Sequence, residues 1–201
     1  MSSQAPQAPT PPTVVIAEDD ALIRLDLREM LEEEGYSVLG EAGDGERAVA
    51  LAEELRPDLV LLDVRMPVLD GISAAARIVG QRIAPVVMVT AYSQREQVER
   101  ARDAGAMAYV VKPFTVADLV PAIEIARSRF AEITALEADV ADLSDRIETR
   151  KLVERAKARL QERFAMSEPD SFRWIQRTAM DKRTSMREVA QLVLDEVSRE
   201  P

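Results

Sequence analysis

Short apolar runs alternate with amphipathic segments along the chain from Thr13 onward. Runs of four or five apolar residues are typical of buried strands, and apolar residues three and four apart are typical of helices that face a core. Five such strand and helix units fill residues 13 to about 128. The strands are predicted at 14–17, 36–40, 59–62, 86–89 and 108–111, and the helices at 21–34, 45–55, 71–80, 95–104 and from about 116.

The strands of these units consist of continuous valine, isoleucine and leucine, and helices separate them. This pattern predicts a parallel sheet that is covered on both faces, an α/β fold. Five strands favour the flavodoxin-like order, in which strands one and three lie on either side of the switch point of the sheet. The carboxyl ends of those two strands are therefore the predicted place of the site.

Beyond residue 128 the pattern becomes helical throughout. Pro121 predicts a kink or a displaced start in the helix that begins near 116. A stripe of apolar residues then keeps the alternating three and four spacing of a coiled-coil seam. Two heptads are short for a coiled coil, so two readings stay open: self-dimerisation through this stripe, or a helix that lies on its own protein. The stripe consists of Ile133, Leu136, Val140, Leu143 and Ile147.

Three short helices are predicted in the last part of the chain. The first ends near Phe164, Ser167 caps the second, and Ser185 with Glu188 forms a capping box for the third. Such helices would form a small bundle. Three aromatic side chains are interpreted as its core or edge, with base stacking as the alternative: Phe164, Phe172 and Trp174.

Four segments follow from these patterns. Residues 1–12 are polar and proline-rich, which predicts a disordered leader. An α/β domain is predicted over 13–128, a helical connector over 129–145, and a helical bundle over 146–201.

Composition narrows the chemistry, because the 201 residues include no cysteine and no histidine. Disulfides, thiolate nucleophiles, the common zinc ligand sets and hydrolases with a catalytic histidine are therefore excluded. Any bound metal must be a hard cation that oxygen atoms hold. No apolar stretch approaches the length of a membrane span and the N-terminus lacks the features of a signal peptide, so we expect a cytoplasmic protein without a membrane partner.

The net charge of −10 argues at first against a nucleic-acid partner. However, the charge is unevenly distributed along the chain. Residues 131–145 carry five acidic and no basic side chains, whereas residues 146–187 carry 12 basic and six acidic ones, a net charge of +6. The acidic average therefore conceals a basic segment.

Acidic residues follow two strands that neighbour each other in the predicted sheet. Glu18, Asp19 and Asp20 follow the first strand, and the third strand ends at Asp63. Crowded carboxylates repel one another unless a cation lies between them, and oxygen ligands suit Mg²⁺. The fourth and fifth strands end at a hydroxyl and a lysine, which suit the oxygens of a phosphoryl group. These two residues are Thr90 and Lys112.

Taken together, these residues resemble the receiver domain of two-component response regulators over about 14–128. The resemblance is carried by Asp19-Asp20, Asp63, Met66-Pro67, Asp70-Gly71, Thr90-Ala91, Tyr109 and Lys112-Pro113-Phe114. It implies that Asp63 accepts a phosphoryl group from a partner histidine kinase. It also implies that Asp20, Asp63 and the backbone carbonyl of Arg65 hold Mg²⁺, with Asp19 assisting.

Further roles follow from the same resemblance. Thr90 and Lys112 would contact the phosphoryl oxygens, and Tyr109 would turn inward as Thr90 moves toward the phosphate. The Lys112-Pro113 bond would be cis. The chain would not be an enzyme beyond self-catalysed phosphorylation and dephosphorylation.

Residues of about 146–197 resemble the ANTAR domain of transcription antitermination regulators. The resemblance is carried by Val153-Glu154-Arg155-Ala156-Lys157, Leu160, Met166-Ser167, Phe172, Ile175-Gln176, Ala179-Met180, Arg183 and Met186-Arg187-Glu188-Val189-Ala190. The chain departs from the family at Ala158, where glycine is usual, and at Gln161, where methionine is usual. These departures concern the tightness of RNA contact or of dimer packing.

This second resemblance implies binding to paired stem-loops in nascent RNA. Unstacked loop bases and phosphates are what such a domain can recognise, and basic side chains track the phosphates. The predicted RNA-facing residues are Lys157, Arg173, Lys182, Arg183 and Arg187.

The leading hypothesis is a response regulator in which phosphorylation of Asp63 controls RNA binding and transcription antitermination, with a homodimer as one form of the protein. Two alternatives stay open. A helix-turn-helix regulator that reads DNA would also carry a basic three-helix unit behind a receiver. A phosphorelay or scaffold protein would bind no nucleic acid.

Overall fold

The computed structural model describes residues 10–91 and 95–197. Most of the leader predicted over 1–12 therefore lies outside the described residues. The chain divides into two compact units, residues 1–134 and 135–201. No helix among the described residues has both the length and the apolar character needed to cross a bilayer.

The first unit alternates strands and helices as predicted. Its strands are β1 (Thr13–Ala17), β2 (Ser37–Ala42), β3 (Leu59–Asp63), β4 (Val86–Thr90) and β5 (Ala108–Val111). Its helices are α1 (Ala21–Glu33), α2 (Gly45–Leu55), α3 (Gly71–Gly80), α4 (Arg95–Asp103) and the first part of α5 (Val116–Phe164). All strand pairs are parallel and the order is β2-β1-β3-β4-β5, which confirms the flavodoxin-like α/β fold.

Alternate residues of the strands serve two cores, one on each face of the sheet. Val15 and Ala17 of β1 pack in the core that α2 and α3 cover, whereas Val14 and Ile16 pack in the core under α1 and α5. Because successive strand residues point to opposite faces, a strand buried on both sides needs an apolar residue at every position. This requirement explains the continuous apolar runs of the sequence.

The register of the sheet brings the predicted site residues to one edge. Ala17 pairs with Leu62, Asp63 with Val89, and Thr90 with Val111. Glu18 and Lys112, which directly follow β1 and β5, therefore reach the same edge as Asp63 and Thr90. This edge is where the crevice of a doubly wound sheet lies.

The helix α5 begins at Val116 and continues through Pro121 without interruption. The prediction of a displaced start at Pro121 is therefore wrong. Leu119 and Ile123 of the same stretch are fully buried, and their packing stabilises the helix around the proline. Further along α5 the predicted seam is exposed to solvent, with exposed fractions from 38% at Ile133 to 63% at Leu136.

The second unit contains the end of α5, α6 (Glu168–Lys182) and α7 (Met186–Val197), as predicted. The Ser167 hydroxyl caps α6, and Ser185 and Glu188 exchange the two hydrogen bonds of a capping box before α7. The core of this unit is aliphatic and alanine-rich. It consists of Val153, Ala156, Leu160, Ile175, Ala179, Val189, Ala190 and Val193.

The three aromatic residues of this unit are not in that core. Phe164, Phe172 and Trp174 are 61%, 40% and 43% exposed. Of the two positions predicted for these rings, the core is therefore wrong and the edge remains, because aliphatic residues already fill the space between the helices. Leu192 of α7 is also half-exposed, at 50%.

Candidate functional site

A cavity of about 440 Å³ opens at the edge of the sheet where β1, β3, β4 and β5 end. Its walls combine carboxylates, a buried hydroxyl and a lysine. The lining residues are Glu18, Asp19, Asp20, Ile23, Asp63, Arg65, Thr90, Ala91 and Lys112. The sequence therefore predicted correctly which strand ends meet.

Both carboxylate oxygens of Asp63 are held in place. Oδ1 accepts a hydrogen bond from the Lys112 ammonium at 2.9 Å, and Oδ2 accepts one from the backbone N–H of Arg65 at 2.7 Å. Asp63 is only 6% exposed. Its orientation is thus set before any partner arrives.

Lys112 bridges two buried carboxylates. Its ammonium lies 2.5 Å from Glu18 Oε2 as well as 2.9 Å from Asp63 Oδ1. Burial opposes the charged form of Lys112, but the hydrogen bonds to the two carboxylates outweigh it and raise the pKa of the ammonium. The Lys112-Pro113 bond is cis, as the resemblance implied.

Glu18 is the most buried acid of the site, with 1% of its surface exposed. Burial raises the pKa of its carboxyl, and Asp63 adds to this effect, while the hydrogen bond from Lys112 opposes it. The Arg24 guanidinium donates a hydrogen bond to the Glu18 backbone carbonyl and pairs with Glu41 at 3.3 Å. The turn after β1 is therefore tied to α1 and β2.

Oxygen ligands for a cation come from Glu18, Asp19 and Asp63, whose carboxylate atoms lie within 4.8 Å of one another. Such a set of hard donors fits a divalent cation such as Mg²⁺. Asp20, the third acid of the run and a predicted metal ligand, is not in this cluster. Its Oδ1 accepts a hydrogen bond from the backbone N–H of Leu22 at 2.8 Å, because Asp20 is the N-cap of α1.

Glu18 was recognised among the carboxylates after the first strand but was left out of the predicted metal ligands. The signal was present, because an acid directly before a predicted helix is commonly its N-cap, and this role removes Asp20 from the cluster. The two acids that remain next to β1 are Glu18 and Asp19.

Thr90 and Tyr109 occupy different environments. Thr90 ends β4, is 4% exposed and lines the cavity beside Asp63. Tyr109 lies on the edge strand β5, is 47% exposed and lines a separate groove with α4 and α5. Of the two residues predicted to move together, Thr90 is therefore buried and Tyr109 is half-exposed.

The predicted RNA-facing residues of the second unit differ in exposure and in their ion pairs. Lys157 is 5% exposed, pairs with Glu154 at 3.1 Å and with Glu168, and lies 5.9 Å from the centre of the Phe172 ring. The hydrogen bonds to Glu168 and Glu154 raise the pKa of its ammonium. The prediction that Lys157 faces RNA is therefore wrong, since this lysine holds α5 and α6 together.

The other four basic residues are nearer the surface. Arg187 is partly buried and pairs with Asp145 and Glu148 of α5. Arg173 is exposed and pairs with Asp170 at 2.8 Å. The remaining two, at the α6–α7 turn, are exposed: Lys182 and Arg183.

The two departures from the ANTAR pattern fit this unit without distortion. Ala158 is exposed on α5, so its methyl group meets no neighbouring helix within the unit. The Gln161 amide lies 3.4 Å from the Ser171 hydroxyl and donates to it.

Comparison with known proteins identifies the family to which a chain with this site belongs. A family profile described as the response regulator receiver domain matches residues 14–124, and one described as the ANTAR domain matches residues 141–194. The transcriptional regulatory protein PdtaR of Mycobacterium tuberculosis is 65% identical over 188 residues, which cover 94% of this chain and 92% of PdtaR.

Solved structures match the first unit. The receiver domain of a modulated diguanylate cyclase from Desulfovibrio desulfuricans is 36% identical with a TM-score of 0.56, covering 60% of this chain and 97% of that one. A chain of the CheX–CheY–BeF3–Mg complex from Borrelia burgdorferi is 28% identical with a TM-score of 0.54, covering 56% of this chain and 87% of that one. By its matches and its site, the chain belongs to the response regulators that join a receiver domain to an ANTAR domain.

Proposed function

We propose that Asp63 accepts a phosphoryl group from a histidine kinase and that this modification controls RNA binding by residues 146–201, and thereby transcription antitermination. The observation that supports it most is the arrangement around Asp63, a carboxylate held by Lys112 on one oxygen and by a backbone N–H on the other. The 65% identity to a transcriptional regulatory protein over nearly the whole chain supports the output.

The chemistry is a transfer between two proteins. An oxygen of Asp63 attacks the phosphorus, and the nitrogen–phosphorus bond of the donor histidine breaks as the new oxygen–phosphorus bond forms. This chain has no histidine, so the donor must belong to another protein. Lys112 places a positive charge beside the attacking oxygen, where the phosphoryl oxygens carry their negative charge.

Mg²⁺ is the proposed cofactor of this step. Asp19, Asp63 and the backbone carbonyl of Arg65 would hold the ion, with Glu18 next to it. A bound Mg²⁺ neutralises charge on the incoming phosphoryl group. Glu18 Oε2 lies 2.5 Å from the Lys112 ammonium and holds it in the cavity. The Thr90 hydroxyl at the end of β4 is the proposed contact for a phosphoryl oxygen. Tyr109 is proposed to turn inward when Thr90 moves toward the phosphate.

Because Lys157 is buried, the other four basic residues are proposed to contact RNA: Arg173, Lys182, Arg183 and Arg187. The exposed seam of α5 supports a homodimer, in which two copies would meet two stem-loops at once. A dimer that forms through this seam would be lost on substitution of Leu136 by aspartate, because the charge would enter the apolar contact. Sedimentation of the wild type and this variant, with and without a phosphodonor, measures the effect.

Asp63→Asn is the test of the phosphorylation switch. The variant keeps the size of the side chain but lacks the nucleophilic oxygen, so we expect no labelled phosphoryl group on the protein and no increase in RNA affinity with a phosphodonor. If the variant and the wild type bind RNA equally tightly with the donor, the switch is refuted.

A second measurement separates the output from its alternatives. We expect salt-dependent binding to an RNA of two hairpins and none to duplex DNA of the same sequence. Preference for the duplex would favour the DNA-binding alternative, and binding to neither would favour the phosphorelay or scaffold alternative.

A further inference from the structure

The outward face of α6 carries basic and large apolar side chains that do not pack in the core of the second unit. Ser171, Ile175 and Ala179 form the buried stripe of this helix. A helix turns 100° per residue, so Arg173, Arg177 and Met180 lie on the side opposite the stripe, and Trp174 lies on its flank next to Arg177. The exposed fraction is 43% for Trp174 and 73% for Met180.

A half-exposed tryptophan is informative because this side chain is usually buried or placed in an interface. Among the described residues, the buried hydrophobic core of the unit consists of valine, leucine, isoleucine and alanine. Packing within the unit therefore leaves 43% of Trp174 exposed, and solvation of its apolar ring is unfavourable.

The charge around Trp174 selects the kind of partner. Arg173 precedes it and Arg177 lies one turn further along the helix. Arg173 forms a salt bridge with the exposed Asp170, a weak surface contact that a phosphate can replace, and donates a hydrogen bond to the backbone carbonyl of Pro169 at 3.3 Å. Within 10–91 and 95–197 no salt bridge involves Arg177. Two arginines that flank a half-exposed aromatic ring match a nucleotide, with its flat base and negative phosphate.

We propose that Trp174 stacks on an unpaired base of an RNA loop while Arg173 and Arg177 contact the adjacent phosphates. The inference rests on the proposed RNA-binding function and specifies its surface. A loop exposes unstacked bases, whereas the bases of a closed stem are covered by their neighbours. The face of α6 thus recognises the loop rather than the stem.

Trp174 is the single tryptophan of the chain, so it reports on its own contact. The probe is a pool of two-hairpin RNAs with fixed stems and randomised loops, selected against the full-length protein treated with a phosphodonor. We expect the selected RNA to quench tryptophan emission strongly on binding, and a closed duplex with the same stems to leave the emission unchanged. This measurement needs no variant and does not depend on how a variant folds.

Variants separate stacking from charge. Trp174→Ala should weaken RNA binding by roughly 5- to 150-fold, the range that one stacked base contributes, without changing the salt dependence. Trp174→Phe should restore most of the affinity because the ring remains. Arg177→Ala should weaken binding and reduce the salt slope by about one phosphate contact. Phe164→Ala is the matched control, since Phe164 is 61% exposed and also lies beside an arginine, Arg163, but on α5.

The outcomes distinguish this inference from the function on which it rests. If the wild type enriches no RNA from the pool, the RNA-binding function fails and the stacking contact fails with it. If RNA binds but the emission stays constant and Trp174→Ala binds as tightly as the wild type, the stacking contact alone is refuted. A change of oligomeric state in Trp174→Ala, with unchanged RNA affinity, would assign this face to a second copy of the chain instead.

Discussion

Replacing Gly71 by alanine would place a methyl group against the strand that carries Asp63. Gly71 is the first residue of α3, and its backbone N–H donates to the carbonyl of Val64 at 3.0 Å. A Cβ atom at this position would lie 1.8 Å from the carbonyl oxygen of Asp63 and 2.9 Å from its carbonyl carbon. Because both are backbone atoms, no side-chain rotation can relieve the overlap.

The size of the effect follows from these distances. Contacts of a Cβ below 3.0 Å are essentially never seen, so α3 and the end of β3 must separate by more than about 1 Å. Overpacking of this kind commonly destabilises a core by about 1–3 kcal/mol. We take about 2–3 kcal/mol for a clash with backbone, which corresponds to a 30- to 150-fold change in an unfolding equilibrium.

Gly80→Ala is the matched control at the other end of the same helix. Nothing lies within 4 Å of a Cβ at this position. An alanine in a helix without a clash stabilises by about 0.4–1 kcal/mol, because the unfolded chain loses conformational freedom. The same substitution is therefore expected to have opposite signs at Gly71 and Gly80.

Amide hydrogen exchange of the full-length protein measures both effects. The amides of β3 are buried and exchange only when the first unit unfolds, so their rates report the stability of that unit. We expect exchange of 59–63 to be 30- to 150-fold faster in Gly71→Ala and about 2- to 5-fold slower in Gly80→Ala. Peptides from α6 serve as an internal reference. Exchange within twofold of the wild type in Gly71→Ala would refute the reasoning.

Three further predictions concern charges. Hydrogen bonds from the backbone N–H and hydroxyl of Thr13 lower the pKa of Asp58, so its contribution to stability is present above the ordinary carboxyl pKa and is lost as the pH falls through the folded value. Asp58→Asn should therefore show a smaller loss of first-unit stability on acidification, measured by the same exchange; an unchanged pH profile contradicts this. Lys157→Ala should lower the stability of the second unit by roughly 1–3 kcal/mol through lost packing and ion pairs, and melting followed by tryptophan emission measures it. An unchanged melting temperature together with weaker RNA binding would instead indicate that Lys157 contacts RNA. Asp145→Asn removes one partner of Arg187 and should raise RNA affinity several-fold, with a steeper salt dependence, in filter-binding titrations; equal affinity would show that Arg187 does not contact RNA.

Much of the first unit could be predicted from sequence because its signals are local. A strand that is buried on both faces must be apolar at every position, and each helix carries its own apolar face, so the element order and the flavodoxin-like topology follow from pattern alone. The acidic residues that follow β1 were predicted to meet Asp63 and Lys112 for a similar reason, since the carboxyl ends of parallel strands share one edge.

Only the tertiary structure decided which side chains are available. Asp20 was predicted to be a metal ligand, but its carboxylate caps the N-terminus of α1. Glu18 belongs to the carboxylate cluster because the register of β1 places it beside Lys112. In the second unit, Lys157 was predicted from the sequence to contact RNA, but its ammonium is buried and pairs with Glu154 and Glu168. Trp174, interpreted as a core or edge residue, is 43% exposed.

The physical reason is that burial and pairing depend on partners distant in sequence. The chain by itself determined its strands, its helices, the basic character of 146–187 and the chemistry that the absence of cysteine and histidine leaves available. Whether a lysine is buried or a tryptophan is exposed depends on how completely the other helices fill the space around it. In this protein, small aliphatic residues fill the second core, and that packing leaves Trp174 and its neighbouring arginines at the surface.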